Sequence, residues 1–155
     1  MRTECSGRKF LFPGLGRRDG VARFDGGDIT SDGGLLLLTK VEAHTGIVER
    51  FARCFTDLRD PNLIRHPVRD LVLQRVFGLA LGYEDLNDHE ILRHAPLFAA
   101  ATGKDPGKGG IAPAGKSTLN RLELSRPEDA ATSRYKKTFL DPDAVDALFV
   151  DVFLE

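Results

Sequence analysis
The sequence predicts a mainly α fold: an irregular helical N-terminal region with a short N-terminal strand. Three observations carry this. Apolar residues at Val68, Leu71, Val72, Val76, Leu79 and Ala80 recur close to the helical period of 3.6. Gly46, Pro61, Pro67, Gly82 and Pro96 cut the chain into pieces of helix length. Only Val21 to Phe24, broken off by Asp25-Gly26-Gly27-Asp28, reads as a strand, so the sum is all-α with at most one or two small strands.

The elements follow in order. Residues 1–20 are rich in Gly and Arg without an apolar period, which predicts a flexible basic arm carrying Arg17 and Arg18. Residues 21–102 form a helical N-terminal domain. In it, Ser31 or Asp32 is placed to N-cap a helix through Leu35 to Leu38 and Val41, ending near His44 or Gly46. A second amphipathic segment holds Ile47, Val48, Phe51 and Phe55. Asp60-Pro61 breaks that pattern, Pro67 suits the first turn of the next helix, and Gly82 ends it. A further helix holds Leu86, Ile91 and Leu92, and Pro96 begins a short one through Ala101. Residues 103–115, dense in Gly, Pro and Lys, predict a mobile loop. Residues 116–155 then read as three helices: Ser117 to Leu124, Ser133 to Leu140 and Pro142 to Leu154. The last has Val145, Leu148, Phe149, Val152 and Phe153 on one side.

Composition narrows the function classes. A chain of 155 residues, 41% hydrophobic and 29% charged, is about one soluble domain long. No apolar run approaches the roughly 18 residues that span a bilayer, and no N-terminal apolar core suggests secretion. Cys5 and Cys54 have no metal-type spacing and read as free thiols of a cytoplasmic protein. The net charge of −1 is unevenly distributed: +4 over residues 1–23, −4 over 24–102, +4 over 103–137 and −5 over 138–155. Two basic segments in a near-neutral chain suit local contact with a polyanion.

Motifs narrow them further. Gly110 to Ser117 fits the pattern of a phosphate-binding loop, with Lys116 as its lysine. Such a loop needs a buried strand before it, and Gly103 to Gly109 cannot form one, so a nucleotide is not expected. His89 and His94 lie five apart, about 140° apart on a helix, and not at the spacing of four that helical zinc sites use. A helix-capping or surface role is expected for them instead. Asp141, Asp143, Asp146 and Asp151 are numerous, but Asp141 and Asp143 flank a helix start, where acids favour the positive helix end. No catalytic residue and no metal ligand is expected from these patterns. The basic candidates are Lys116, Ser117, Thr118, Asn120 and Arg121, on the first two turns of a short helix. Entering a groove by its N-terminus, that helix offers amides, hydroxyls and a guanidinium to phosphates and bases. The same pattern equally describes a solvated helix with Leu119, Leu122 and Leu124 packed inward.

The run Gly78 to Phe98, with Gly82-Tyr83-Glu84-Asp85-Leu86-Asn87-Asp88 and Leu92-Arg93-His94 at its centre, resembles a signature of bacterial insertion-sequence transposases of DDE group 1. The similarity extends to Ile29 through Leu38, to Arg59-Asp60-Pro61, to Ser117 through Glu123 and to Asp146 through Leu154. Two departures stand out: Ala95 occupies a position where the family usually has Asp, and a Lys- and Gly-rich insert fills residues 104–116. The resemblance implies the helical, DNA-binding N-terminal portion of a transposase. The RNase H-like core, with its Asp-Asp-Glu site and Mg²⁺, would begin beyond Glu155, so a truncated chain without catalysis of its own is the expectation. DNA at the element ends is the partner implied, with a second copy of the chain as a further candidate. The alternative is a helical interaction module that docks a partner on the apolar side of the last helix.

Overall fold
A computed structural model describes residues 9–15, 18–23, 32–104 and 109–155. The fold is mainly α but not all-α, because four short strands form two separate two-stranded antiparallel sheets. Strands β1 (Phe10–Leu15) and β2 (Arg18–Ala22) pair with Phe10 opposite Ala22 and Phe12 opposite Gly20. β1 and the start of β2 fall in the segment 1–20 that the sequence assigns to the arm, whereas Val21 and Ala22 of β2 lie in the expected strand. Phe12 gives the reason: its ring is buried against Leu36, with Ala22, Leu97 and Ala100 around it, and Lys40 Nζ sits 4.7 Å above it. Residues 1–8 and 24–31, including Cys5, Phe24 and Ser31, lie outside the described residues.

Helix α1 (Leu35–Thr45) starts after Gly34 with no side-chain cap, contrary to the expectation for Asp32. The Asp32 carboxylate instead accepts a hydrogen bond from the Tyr83 hydroxyl at 3.2 Å. Gly46 ends the helix with φ of 60°, a left-handed value that glycine adopts without strain. Helix α2 (Ile47–Ala52) follows at once. Its first amides are taken by the carboxylate of buried Glu42, at 2.8 Å from Val48 N and 3.2 Å from Glu49 N. A charge so placed is satisfied by the positive end of α2.

Phe55 does not extend α2. It opens strand β3 (Phe55–Asp57), which pairs with β4 (Thr138–Leu140). The segment Ser133 to Leu140, expected to be helical, is therefore a turn followed by a strand. The pairing partner decides this: Leu58 N donates to Lys137 O and Asp141 N to Cys54 O, both at 2.8 Å, closing the ladder at each end. Asp60 caps a 3-10 turn at Pro61–Leu63, its carboxylate 2.9 Å from Asn62 N.

Helix α3 (Val68–Ala80) is the central element. A second 3-10 turn (Leu86–Asp88) leads into α4 (His89–Leu92), and α5 (Pro96–Ala101) starts at its proline as expected. Then come α6 (Lys116–Leu124), the short α7 (Asp129–Thr132) and α8 (Pro142–Leu154). One core cluster takes Leu35, Val48, Leu71, Phe77, Phe98 and Leu119 from five of these helices. At roughly 1.5–3 kcal/mol for each fully buried large side chain, this cluster is the principal stabilising feature. The exposed side of α8 keeps Phe149 and Phe153 in solvent, whereas Val145, Leu148 and Val152 of the expected stripe are half-buried. No helix among the described residues is long and apolar enough to cross a membrane.

Candidate nucleic-acid interface
Three side chains position α6. The first is Gln74 of α3, buried and fully engaged. Its carbonyl oxygen accepts from Ala114 N at 2.8 Å, and its amide nitrogen donates to Ala114 O at 2.7 Å. The segment expected as a mobile loop is thus clamped at its end, with Pro113 and Ala114 buried. The same amide nitrogen lies 3.2 Å from His89 Nδ1. Because Ala114 fixes which end of the amide donates, Nδ1 must accept and the ring proton sits on Nε2.

His89 is therefore no surface or capping residue. It is fully buried, edge-on to Phe98 at 6.0 Å between ring centres, and its Nε2 finds no partner. Burial, followed by the positive charge of Arg75, pushes its pKa below the ordinary imidazole value. The ring fills the space beside Gly78, where a Cβ would come within 2.8 Å of it. His94, by contrast, is exposed.

The second positioning side chain is Glu90. Its carboxylate accepts from Lys116 N at 2.8 Å and so caps α6 from another helix. Gly115 admits this approach, since a Cβ there would lie 2.8 Å from Glu90 Oε1 and 2.6 Å from Arg93 Nη1. The Lys116 amide, which would face a phosphate in a phosphate-binding loop, faces the Glu90 carboxylate here.

The third is Arg75, whose guanidinium donates to Tyr83 O at 3.2 Å and Glu84 O at 2.8 Å and pairs with Glu123. It joins the loop before Leu86 to the flank of α6. Between these two walls lies a cleft of about 630 Å³. Lys116, Ser117, Asn120 and Arg121 line one wall; Glu84, Asp85 and Asn87 line the other. Lys116 Nζ donates to Asn87 Oδ1 at 2.9 Å across it. Hydrogen bonds from the Asn87 amide and side chain hold the Asp85 carboxyl below its usual pKa, so this wall stays anionic.

Of the residues expected to contact DNA, four line the cleft together. Thr118 is half-buried on α6 and does not line it. Arg18 begins β2, with its side chain outside the description, and Arg17 lies outside the described residues. Sequence reasoning missed Arg75 and Asn87 as site residues. Asn87 stood within the most specific stretch of the sequence; Arg75 had only its place as a charge inside an apolar helix as a signal.

One of the acids near the C-terminus serves as a helix cap. Asp141 Oδ1 accepts from Asp143 N at 3.0 Å and Ala144 N at 3.3 Å, an N-cap of α8, as its position beside a helix start suggested. Among the described residues, no group of three or more His, Cys, Asp or Glu is arranged to hold an ion. Cys54 is buried and free, and burial followed by the charge of Asp141 raises its pKa.

Comparison with known proteins gives one result. The family model described as "Transposase DDE domain group 1" matches residues 12–155. No curated protein and no solved structure matches the chain.

Proposed function
Because the chain belongs to the transposase DDE domain group 1 family, we propose that it serves DNA transposition as a DNA-binding, helical portion, with the α6 wall of the cleft as its contact face. The observation that carries this reading is the gathering of Lys116, Ser117, Asn120 and Arg121 on one side of one cleft. Lys116 and Arg121 supply positive charge for phosphates, and Ser117 and Asn120 supply groups suited to sugar, phosphate or base edges. The opposite wall, with Glu84 and Asp85, repels phosphate and so orients the backbone toward α6. In this reading the chain works on chromosomal DNA in the cytoplasm, at the ends of the mobile element. Strand cutting and joining, and the Mg²⁺ they use, are assigned to no residue described here.

Arg121→Ala tests the reading. Its affinity for duplex DNA, followed by fluorescence anisotropy over a salt series, is expected to fall. The slope of log K against log salt is expected to flatten by about 1, as for one lost phosphate contact. Arg121 is exposed, so the fold survives the change. An unaltered affinity and slope would take α6 out of the interface.

A further inference from the structure
Arg121 has a second contact, outside the cleft. Its guanidinium carbon lies 4.9 Å from the centre of the Tyr135 ring, and that of Arg134 lies 5.8 Å from the same ring. Tyr135 is 60% exposed, a large value for an aromatic ring that already has two cationic neighbours. Among the described residues, neither arginine has a carboxylate within ion-pair distance.

The turn that carries the ring is fixed. Ser133 Oγ accepts from Tyr135 N at 3.2 Å and from Lys136 N at 3.1 Å. Lys136 pairs with Asp129 at 3.1 Å, and Lys137 donates to Ala130 O. Immediately beyond, β4 is locked into its sheet with β3. These contacts engage both lysines of the segment and leave Arg134 and Tyr135 outward.

We propose that Arg121, Tyr135 and Arg134 form a stacking platform for an unpaired DNA base, continuous with the cleft through Arg121. The inference rests on the DNA-binding reading above and deepens it by naming the kind of DNA. A paired base keeps its faces inside the duplex stack, so an exposed aromatic surface gives little to a perfect duplex. An unpaired base offers a free π face, and the two guanidiniums serve both the ring and the phosphates on either side of that base. Duplex lies against α6, and the adjoining single strand turns onto Tyr135. The preferred substrate is thus a junction between double- and single-stranded DNA.

The test uses the full chain, a short duplex of mixed sequence, and the same duplex with a single-stranded overhang carrying 2-aminopurine. The wild type is expected to bind the overhang DNA about tenfold more tightly than the duplex, the scale of one stacked base, and to change the 2-aminopurine fluorescence. Tyr135→Ala is expected to bring the affinity ratio to one and abolish the fluorescence change; Tyr135→Phe is expected to keep both. A ratio of one in the wild type, or a ratio that survives Tyr135→Ala, overturns the platform. If duplex binding with its salt dependence persists in that case, the DNA-binding reading stands without the platform. If duplex binding is itself absent, both fall.

Discussion
At Gln74, one side chain satisfies both backbone groups of Ala114 and faces His89 Nδ1. Truncation to Ala would strand these buried partners and leave a cavity between α3 and the segment before α6. Gln74→Ala is expected to lose about 3–5 kcal/mol of stability, read from the midpoint and slope of urea unfolding. A loss below about 1 kcal/mol would mean that water or a shifted backbone replaces the amide. Single residues were the least legible part of the sequence. Gln74 looks like the solvent side of an amphipathic helix, and His89 looks like a surface or capping residue. Each is buried because the other, and Ala114, are there, and no local pattern records a partner 15 or 40 residues away.

Helices announced by backbone chemistry were read well. Proline opens α5 and α8 and glycine closes α1, and each boundary falls where it was expected. Strand β4 was missed because its stabilising partner, β3, lies some 80 residues earlier, whereas its own three residues also suit a helix. Of the hairpin, β1 and the start of β2 are hidden by surrounding Gly and Arg, and only its end at Val21 and Ala22 is legible. Helix α5 carries a specific consequence of the Ala95 departure. Ala95 has extended backbone at the N-cap, with no side chain to accept from the first turn. Ala95→Asp is expected to stabilise the protein by about 1 kcal/mol, or about 2–4 °C in Tm by calorimetry. A lower Tm would show that Ala95, packed against the core, has no room for a carboxylate.

For the molecule as a whole, acid stability follows from two histidines. Burial lowers the pKa of His89 below 6.5, with Arg75 adding to it, and burial with Lys104 does the same for His66. Above that value both rings are neutral, folded or unfolded. Below it the unfolded chain takes up protons first, so stability falls as pH drops from 6.5 toward the lower folded values. Asp57 acts in a separate window. Burial opposes its ionisation, but Arg59 outweighs burial and lowers its pKa below 3.8, so its contribution disappears only in stronger acid. Urea midpoints at about pH 7.5 and about pH 5.5 are expected to differ, the lower pH being less stable. His89→Gln is expected to shrink the difference. Equal midpoints in the wild type would refute a folded state that resists protonation.

The Arg75 strut has a consequence for any ligand of the cleft. One guanidinium fastens the loop carbonyls of Tyr83 and Glu84 to Glu123 on α6. The spacing between the two walls is therefore set while the chain folds. The walls do not have to find each other when a ligand arrives, so little ordering entropy remains to be lost on binding. A ligand of the cleft therefore meets walls already held at the spacing that the Arg75 contacts set.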